Sequence, residues 1–150
     1  MKPLIIGEAP SKNEVTPRPL EGRVGKRLAA LCGLTLDEYL KHFDRVNLLD
    51  VRQDTKEKGF EFDHKLARVK AEYMLEFDIE PNRIVLLLGW RVAKAFNLDH
   101  LGYFEEQRHP DSSAEFRVLP HPSGVNRWWN DIRHLMDAEV FMKTIVERTR

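Results

Sequence analysis

Apolar residues along this chain fall in short runs bounded by Gly, Pro and charge, separated by stretches with helical spacing. The run Pro3-Leu4-Ile5-Ile6, closed by Gly7, predicts a short buried strand over 3–6, and residues 11 to 21, with Pro17 and Pro19, read as a loop. Val24, Leu28 and Leu31 recur at i, i+4 and i+7, predicting a helix over 23–32 with Gly33 as a left-handed stop. Thr35 and Glu38 have the spacing of a capping box, so a second short helix follows to about Phe43. Arg45 to Leu49 reads as a second strand and Asp50 to Glu61 as loop. Asp63 can cap a helix with an apolar face of Leu66, Val69, Tyr73, Met74 and Phe77, barred from extension by Pro81. The clearest strand is Arg83 to Leu88, ended by Gly89, and 91–96 looks helical. Residues 101 to 119 suggest a hairpin or long loop leading into a last strand over 116–119. Asp131 can cap a terminal helix with Leu135, Met136, Val140, Ile145 and Val146 supplying core contacts. Strands alternating with helices predict an α/β fold: a three-layer α/β/α arrangement around a central four-stranded parallel sheet.

At 150 residues and 42% hydrophobic content the chain suits one core, so 1–150 is read as a single domain. No stretch approaches the roughly 20 apolar residues of a membrane span, and the start lacks a signal peptide's apolar region, so a cytoplasmic protein without membrane partners is expected. A lone cysteine, Cys32, can neither close an internal disulfide nor hold an iron-sulfur cluster, which needs about four thiolates. It reads as a buried, inert thiol. No cofactor is expected, and the spacing of His109, Asp111 and His121 matches no metal-ligand motif. The net charge is zero, yet residues 1–36 carry six Lys or Arg against three Glu, and residues 37–81 carry eight against twelve acids. That distribution permits a nucleic-acid-facing edge with an acidic back, or charge scattered over a solvated surface.

Polar loops at the carboxyl ends of parallel strands are where open α/β folds bind ligands. Two such loops stand out: Gly7-Glu8-Ala9-Pro10-Ser11 after the first strand and His121-Pro122-Ser123-Gly124 after the last. Between them lie Pro19-Leu20-Glu21-Gly22-Arg23-Val24-Gly25 and Asn47. In order and spacing this set resembles the uracil-DNA glycosylase superfamily, nearest to its iron-sulfur branch, where the segments read Gly-Glu-Ala-Pro-Gly, Pro-Phe-x-Gly-x-x-Gly, a strand-ending Asn, and His-Pro-Ser. The cluster of that branch is absent here.

The resemblance implies an enzyme that rotates a nucleotide out of DNA, reads the base in a pocket and hydrolyses its bond to the sugar. Glu8 would position or activate the attacking water. His121 would donate to the departing base's carbonyl as charge develops. Asn47 has an amide able to donate to one base carbonyl and accept from a ring N–H. Each residue has a plainer reading: Glu8 bonding loop amides, His121 bonding a backbone carbonyl, Asn47 forming a turn. Leu20 stands where relatives carry a stacking Phe, and Ala9 where the best-known branch carries an Asp, so Leu20, Ala9 and Pro10 would shape the base slot. Gly22, Arg23 and Lys26 at the start of the first helix suit a phosphate, or a tight helix packing. Ser11, Ser123 and Gly124 would meet flanking phosphates. Val125 occupies the place of the wedge relatives insert into the duplex, with Arg127, Trp128 and Trp129 beside it. One of the two tryptophans is expected in the core.

The leading expectation is a monomeric DNA glycosylase acting on a flipped uracil or modified pyrimidine in single- or double-stranded DNA. The substitutions at Ala9 and Leu20 favour an alternative: a superfamily member that binds a nucleotide or modified DNA without cutting it, as in a phage or DNA-modification system. An interaction module that kept the fold and lost the pocket is a third reading.

Overall fold

A computed structural model describes residues 1–10, 19–51, 53–55, 59–123 and 126–150. The elements run β1 (Leu4–Gly7), α1 (Arg23–Cys32), α2 (Leu36–His42), β2 (Asp44–Asn47), β3 (Gln53–Thr55), β4 (Gly59–Glu61), α3 (His64–Tyr73), β5 (Ile84–Leu88), α4 (Trp90–Ala95), β6 (Gln107–Arg108), β7 (Glu115–Leu119) and α5 (Ile132–Arg148). A π-helical turn, Met74–Asp78, prolongs α3, and a 3-10 turn, Arg127–Asn130, precedes α5. No helix among the described residues is long and apolar enough to cross a membrane.

The main sheet has the order β2-β1-β5-β7-β6. Its first four strands are parallel, as the alternation of elements predicts, and β6 adds a two-residue antiparallel edge against β7. A two-residue strand has no periodicity to read, so only the return of the chain before β7 was legible. Residues 50–61 were expected to be loop, and this is corrected: β3 and β4 pair antiparallel as a separate two-stranded sheet. Such strands of three polar or mixed residues carry too few alternations to signal themselves.

Side chains alternate faithfully across the central strand. Val85 and Leu87 face one core with Leu4, Ile6, Phe116 and Val118, while Ile84, Leu86 and Leu88 face a second with Ile5 and Leu119. The first core is closed by α3 and α4 through Ala67, Ala71, Met74, Val92 and Ala93. The second is closed by α1, α2 and α5 through Leu28, Leu31, Tyr39, Met142 and Ile145. Every side chain of β5 is buried, the continuous apolar run expected of a parallel strand covered on both faces.

Helix starts follow the sequence closely. The Thr35 hydroxyl accepts from the Glu38 amide while the Glu38 carboxylate accepts from the Thr35 amide, and Asp63 and Asp131 accept from Leu66 and Arg133. Gly33 ends α1 at φ 69°. The faces are another matter. Leu66, Val69, Tyr73 and Phe77 are exposed, and α3 turns Ala67, Ala71 and Met74 inward instead. On α5, Met136 and Val140 are exposed while Ala138, Met142, Ile145 and Val146 are buried. Both helices carry apolar residues on more than one side, so residue type leaves the inward face undecided until neighbours are packed.

Candidate active site

The four parallel strands end at Gly7, Asn47, Leu88 and Leu119, and the loops that follow share one edge of the sheet. The chain leaves β1 for β2 on one side and later reaches β5 on the other, so the crevice of a topological switch opens between β1 and β5.

The ladder continues one step past β1: the Leu48 amide donates to Gly7 and the Leu49 amide to Glu8, which holds the Glu8 backbone against β2. Gly7 pairs with Asn47 in register. A Cβ at Gly7 would stand 2.7 Å from Leu20 Cδ2 and 2.9 Å from Asn47 Oδ1, so glycine leaves the space in which those two side chains meet. Leu20 adopts a left-handed backbone, φ 59°, a conformation that costs a non-glycine residue about 1–2 kcal/mol. Two features hold it there. The Tyr39 hydroxyl donates to the Leu20 carbonyl at 3.1 Å, and Gly25 lets that carbonyl come within 2.3 Å of where a Cβ would be. Asn47 Oδ1 is buried and has no hydrogen-bond partner among the described residues, a state that costs about 1–3 kcal/mol in a folded protein and asks for a functional account.

Around β5 a second group gathers. Gly89 sits at φ 92° and its amide donates to the Leu119 carbonyl at 2.7 Å. A Cβ there would lie 3.2 Å from His121 Cβ and 3.4 Å from Glu8 Oε1, so Glu8 and His121 flank the same glycine from two strand ends. Glu8 is buried, and Arg91 Nη1 stands 3.5 Å from its Oε2. The His121 carbonyl accepts from Asn126 Nδ2 at 3.0 Å and from the Trp129 indole at 2.9 Å. Trp129 itself is core, with the Arg27 guanidinium 5.2 Å above its ring. Burial pushes the His121 imidazole below its ordinary pKa; the Glu8 carboxylate opposes this and the Arg91 guanidinium adds to it.

The expected site residues therefore form two adjacent groups, Leu20 with Asn47 and Glu8 with His121, with half-buried Ala9 and Pro10 following Glu8. From Asn47 on β2 to His121 after β7 is three strand spacings, roughly 14 Å of backbone at about 4.8 Å each. Gly22, Arg23 and Lys26 are exposed at the first turn of α1, Ser123 is half-buried, and Arg127 is exposed in the 3-10 turn. Ser11, Gly124 and Val125 lie outside the described residues. Trp128 is engaged within the fold, stacked on His134 at 4.5 Å and 10°. The Cys32 thiol is buried and pushed up to about 12. Among the described residues no three His, Cys, Asp or Glu are grouped so as to hold a metal.

Sequence reasoning missed Gly89, Arg91 and Asn126. Gly89 had a signal, since it ends the clearest strand, whereas Arg91 and Asn126 act through contacts that only folding creates. In chemical terms the edge offers a carboxylate held by a guanidinium, an imidazole whose pKa is pushed down by burial, and an amide with a spare acceptor. These groups suit polarising a water, hydrogen-bonding a developing anion and reading a polar heterocycle edge.

No curated protein matches the chain significantly. The family model described as the uracil DNA glycosylase superfamily matches residues 1–147. That match spans nearly the whole chain, carries a DNA glycosylase-like function in general, and establishes that the protein belongs to the uracil DNA glycosylase superfamily.

Proposed function

We propose that this protein hydrolyses the N-glycosidic bond of a pyrimidine nucleotide extruded from DNA, with Glu8, Asn47 and His121 as the residues that meet the substrate. The observation that carries the reading is the meeting of Glu8 and His121 around Gly89 at the switch point of the sheet. As the C1′–N bond breaks, its electron pair leaves with the base and the sugar becomes cation-like. His121, half-buried and held below its ordinary pKa by desolvation, donates a hydrogen bond to the base carbonyl where that charge collects. Glu8 orients a water whose oxygen forms a bond to C1′, and the Glu8 carboxylate accepts the proton that this water releases. Arg91 keeps the carboxylate in place. The unpartnered Asn47 oxygen accepts from the ring N–H of the base, which gives a buried acceptor the partner it lacks. Leu20 presses on the base as an apolar surface, and Arg23 and Lys26 meet phosphates of the strand.

Abasic-site formation tests this on single- and double-stranded oligonucleotides carrying uracil, hypoxanthine, xanthine or 5-substituted pyrimidines. Base release by the wild type is expected to fall about 100-fold or more in His121→Ala and in Asn47→Ala, with thermal unfolding little changed. Undiminished release in both variants overturns the reading. Tight binding of DNA with no base released by the wild type selects the non-cleaving alternative that Leu20, near Asn47 beside Gly7, also favours.

A further inference from the structure

We propose that Trp90 is a stacking platform for an unpaired base of the strand beside the extruded nucleotide, with the two cations beside it meeting the adjoining phosphates. The inference rests on the reading of DNA as substrate. Trp90 is the first residue of α4 and directly follows Gly89, around which Glu8 and His121 meet, and the Arg91 guanidinium over its ring also reaches Glu8. The next residues of the helix but one, Val92 and Ala93, are fully buried, whereas Trp90 is 53% exposed. Its two fellow tryptophans are committed inside the fold, Trp129 in the core and Trp128 on His134.

The surroundings of the ring fix the kind of partner. Arg91 Cζ lies 5.6 Å and Lys94 Nζ 5.9 Å from the ring centroid. The His64 ring is 5.9 Å away and tilted by 31°, and it rests in turn on Phe62. Since His64 begins α3, two helix starts bring these groups to the same edge of the sheet. An exposed aromatic ring with two cations over it matches a nucleobase, which offers a π-face of its own and an anionic phosphate on either side. Arg91 joins this surface to the site, for the same guanidinium reaches Glu8.

Fluorescence anisotropy with a short labelled oligodeoxythymidine, single-stranded and as intact duplex, tests the proposal on the full chain. Trp90→Ala is expected to weaken single-strand binding about tenfold, with a smaller loss on duplex, while Trp90→Phe retains most of the affinity. Lys94→Ala is expected to lower the slope of log affinity against log salt by about one. Thermal unfolding of Trp90→Ala should match the wild type, since the indole contributes little to the core. Equal affinity of Trp90→Ala and wild type for the single strand, or equal losses on strand and duplex, overturns the platform. If base release persists while Trp90→Ala binds normally, the platform fails and the glycosylase reading stands. If the single-strand loss occurs but no base is released by the wild type, the platform stands and cleavage fails. A wild type without affinity for DNA overturns both.

Discussion

Gly89 and His121 show how single residues shape the candidate site. An alanine at position 89 meets two penalties: a positive-φ extended backbone that only glycine adopts readily, worth about 1–3 kcal/mol, and a methyl crowding His121 Cβ and Glu8 Oε1. Gly89→Ala should therefore lower the thermal midpoint and reduce base release about 100-fold, because the displaced pair loses its alignment. The His121 imidazole carries a pH signature as well. Its folded pKa lies below the ordinary 6.5, chiefly through burial, so the unfolded chain takes up a proton there first as pH falls. The stability this residue contributes is full above pH 6.5 and lost as pH drops toward the folded value. Thermal midpoints measured from about pH 7 to 5 should fall less steeply for His121→Gln than for the wild type, and parallel curves would contradict this. Of these residues the sequence marked His121 and Glu8 by the loops they occupy. It gave Gly89 only as a strand stop and was silent on Arg91, because a guanidinium finds a carboxylate 83 positions away only after the sheet forms.

At the level of elements, starts were legible, and the inward face was legible on α1 but not on α3. A cap is a local transaction between a side chain and amides two or three residues ahead, which is why Thr35, Asp63 and Asp131 were readable as they stand. Which side of α3 turns inward depends instead on how closely the helix approaches its neighbours. The small Ala67 and Ala71 allow α3 to lie against the first core, leaving the larger Leu66, Val69, Tyr73 and Phe77 outside. Chemical denaturation separates the two faces. Val69→Lys and Phe77→Lys should each change stability by no more than about 0.5 kcal/mol. Ala71→Leu, forced into a filled space, should cost about 1–3 kcal/mol. The reverse ranking would restore the face expected from hydrophobicity alone. The hairpin of β3 and β4 belongs to the same lesson, since strands of three residues offer no period and pairing is a property of two segments at once.

Across the whole molecule, the edge opposite the site is tied by Glu115, a nearly fully buried carboxylate at the start of β7. Arg148 from α5 grips both its oxygens at 3.0 and 2.9 Å, and Arg117 and Arg108 of β7 and β6 approach at 3.0 and 3.1 Å. The hydrogen bonds from Arg148, helped by Arg117 and opposed by burial, hold its pKa at about 2, against an ordinary 4.5. Its contribution is present above pH 4.5 and lost as pH falls toward about 2. Glu115→Gln should cost about 2–4 kcal/mol at neutral pH and flatten the acid limb of the unfolding curve, measured by denaturation across that range. A variant as stable as the wild type at neutral pH would remove this tie from the account. Taken by itself, the sequence determined the four parallel strands, the caps that start the helices and the two loops bearing Glu8 and His121, because each is encoded by neighbours within a few positions. Tertiary structure alone decided which helix faces turn inward, which strands flank the switch point, and that Gly7, Gly25 and Gly89 are the clearances through which Leu20, Asn47, Glu8 and His121 approach one another. The physical reason is range: caps and turns are settled by bonds along the chain, whereas a crevice exists only between strands whose order no local pattern contains.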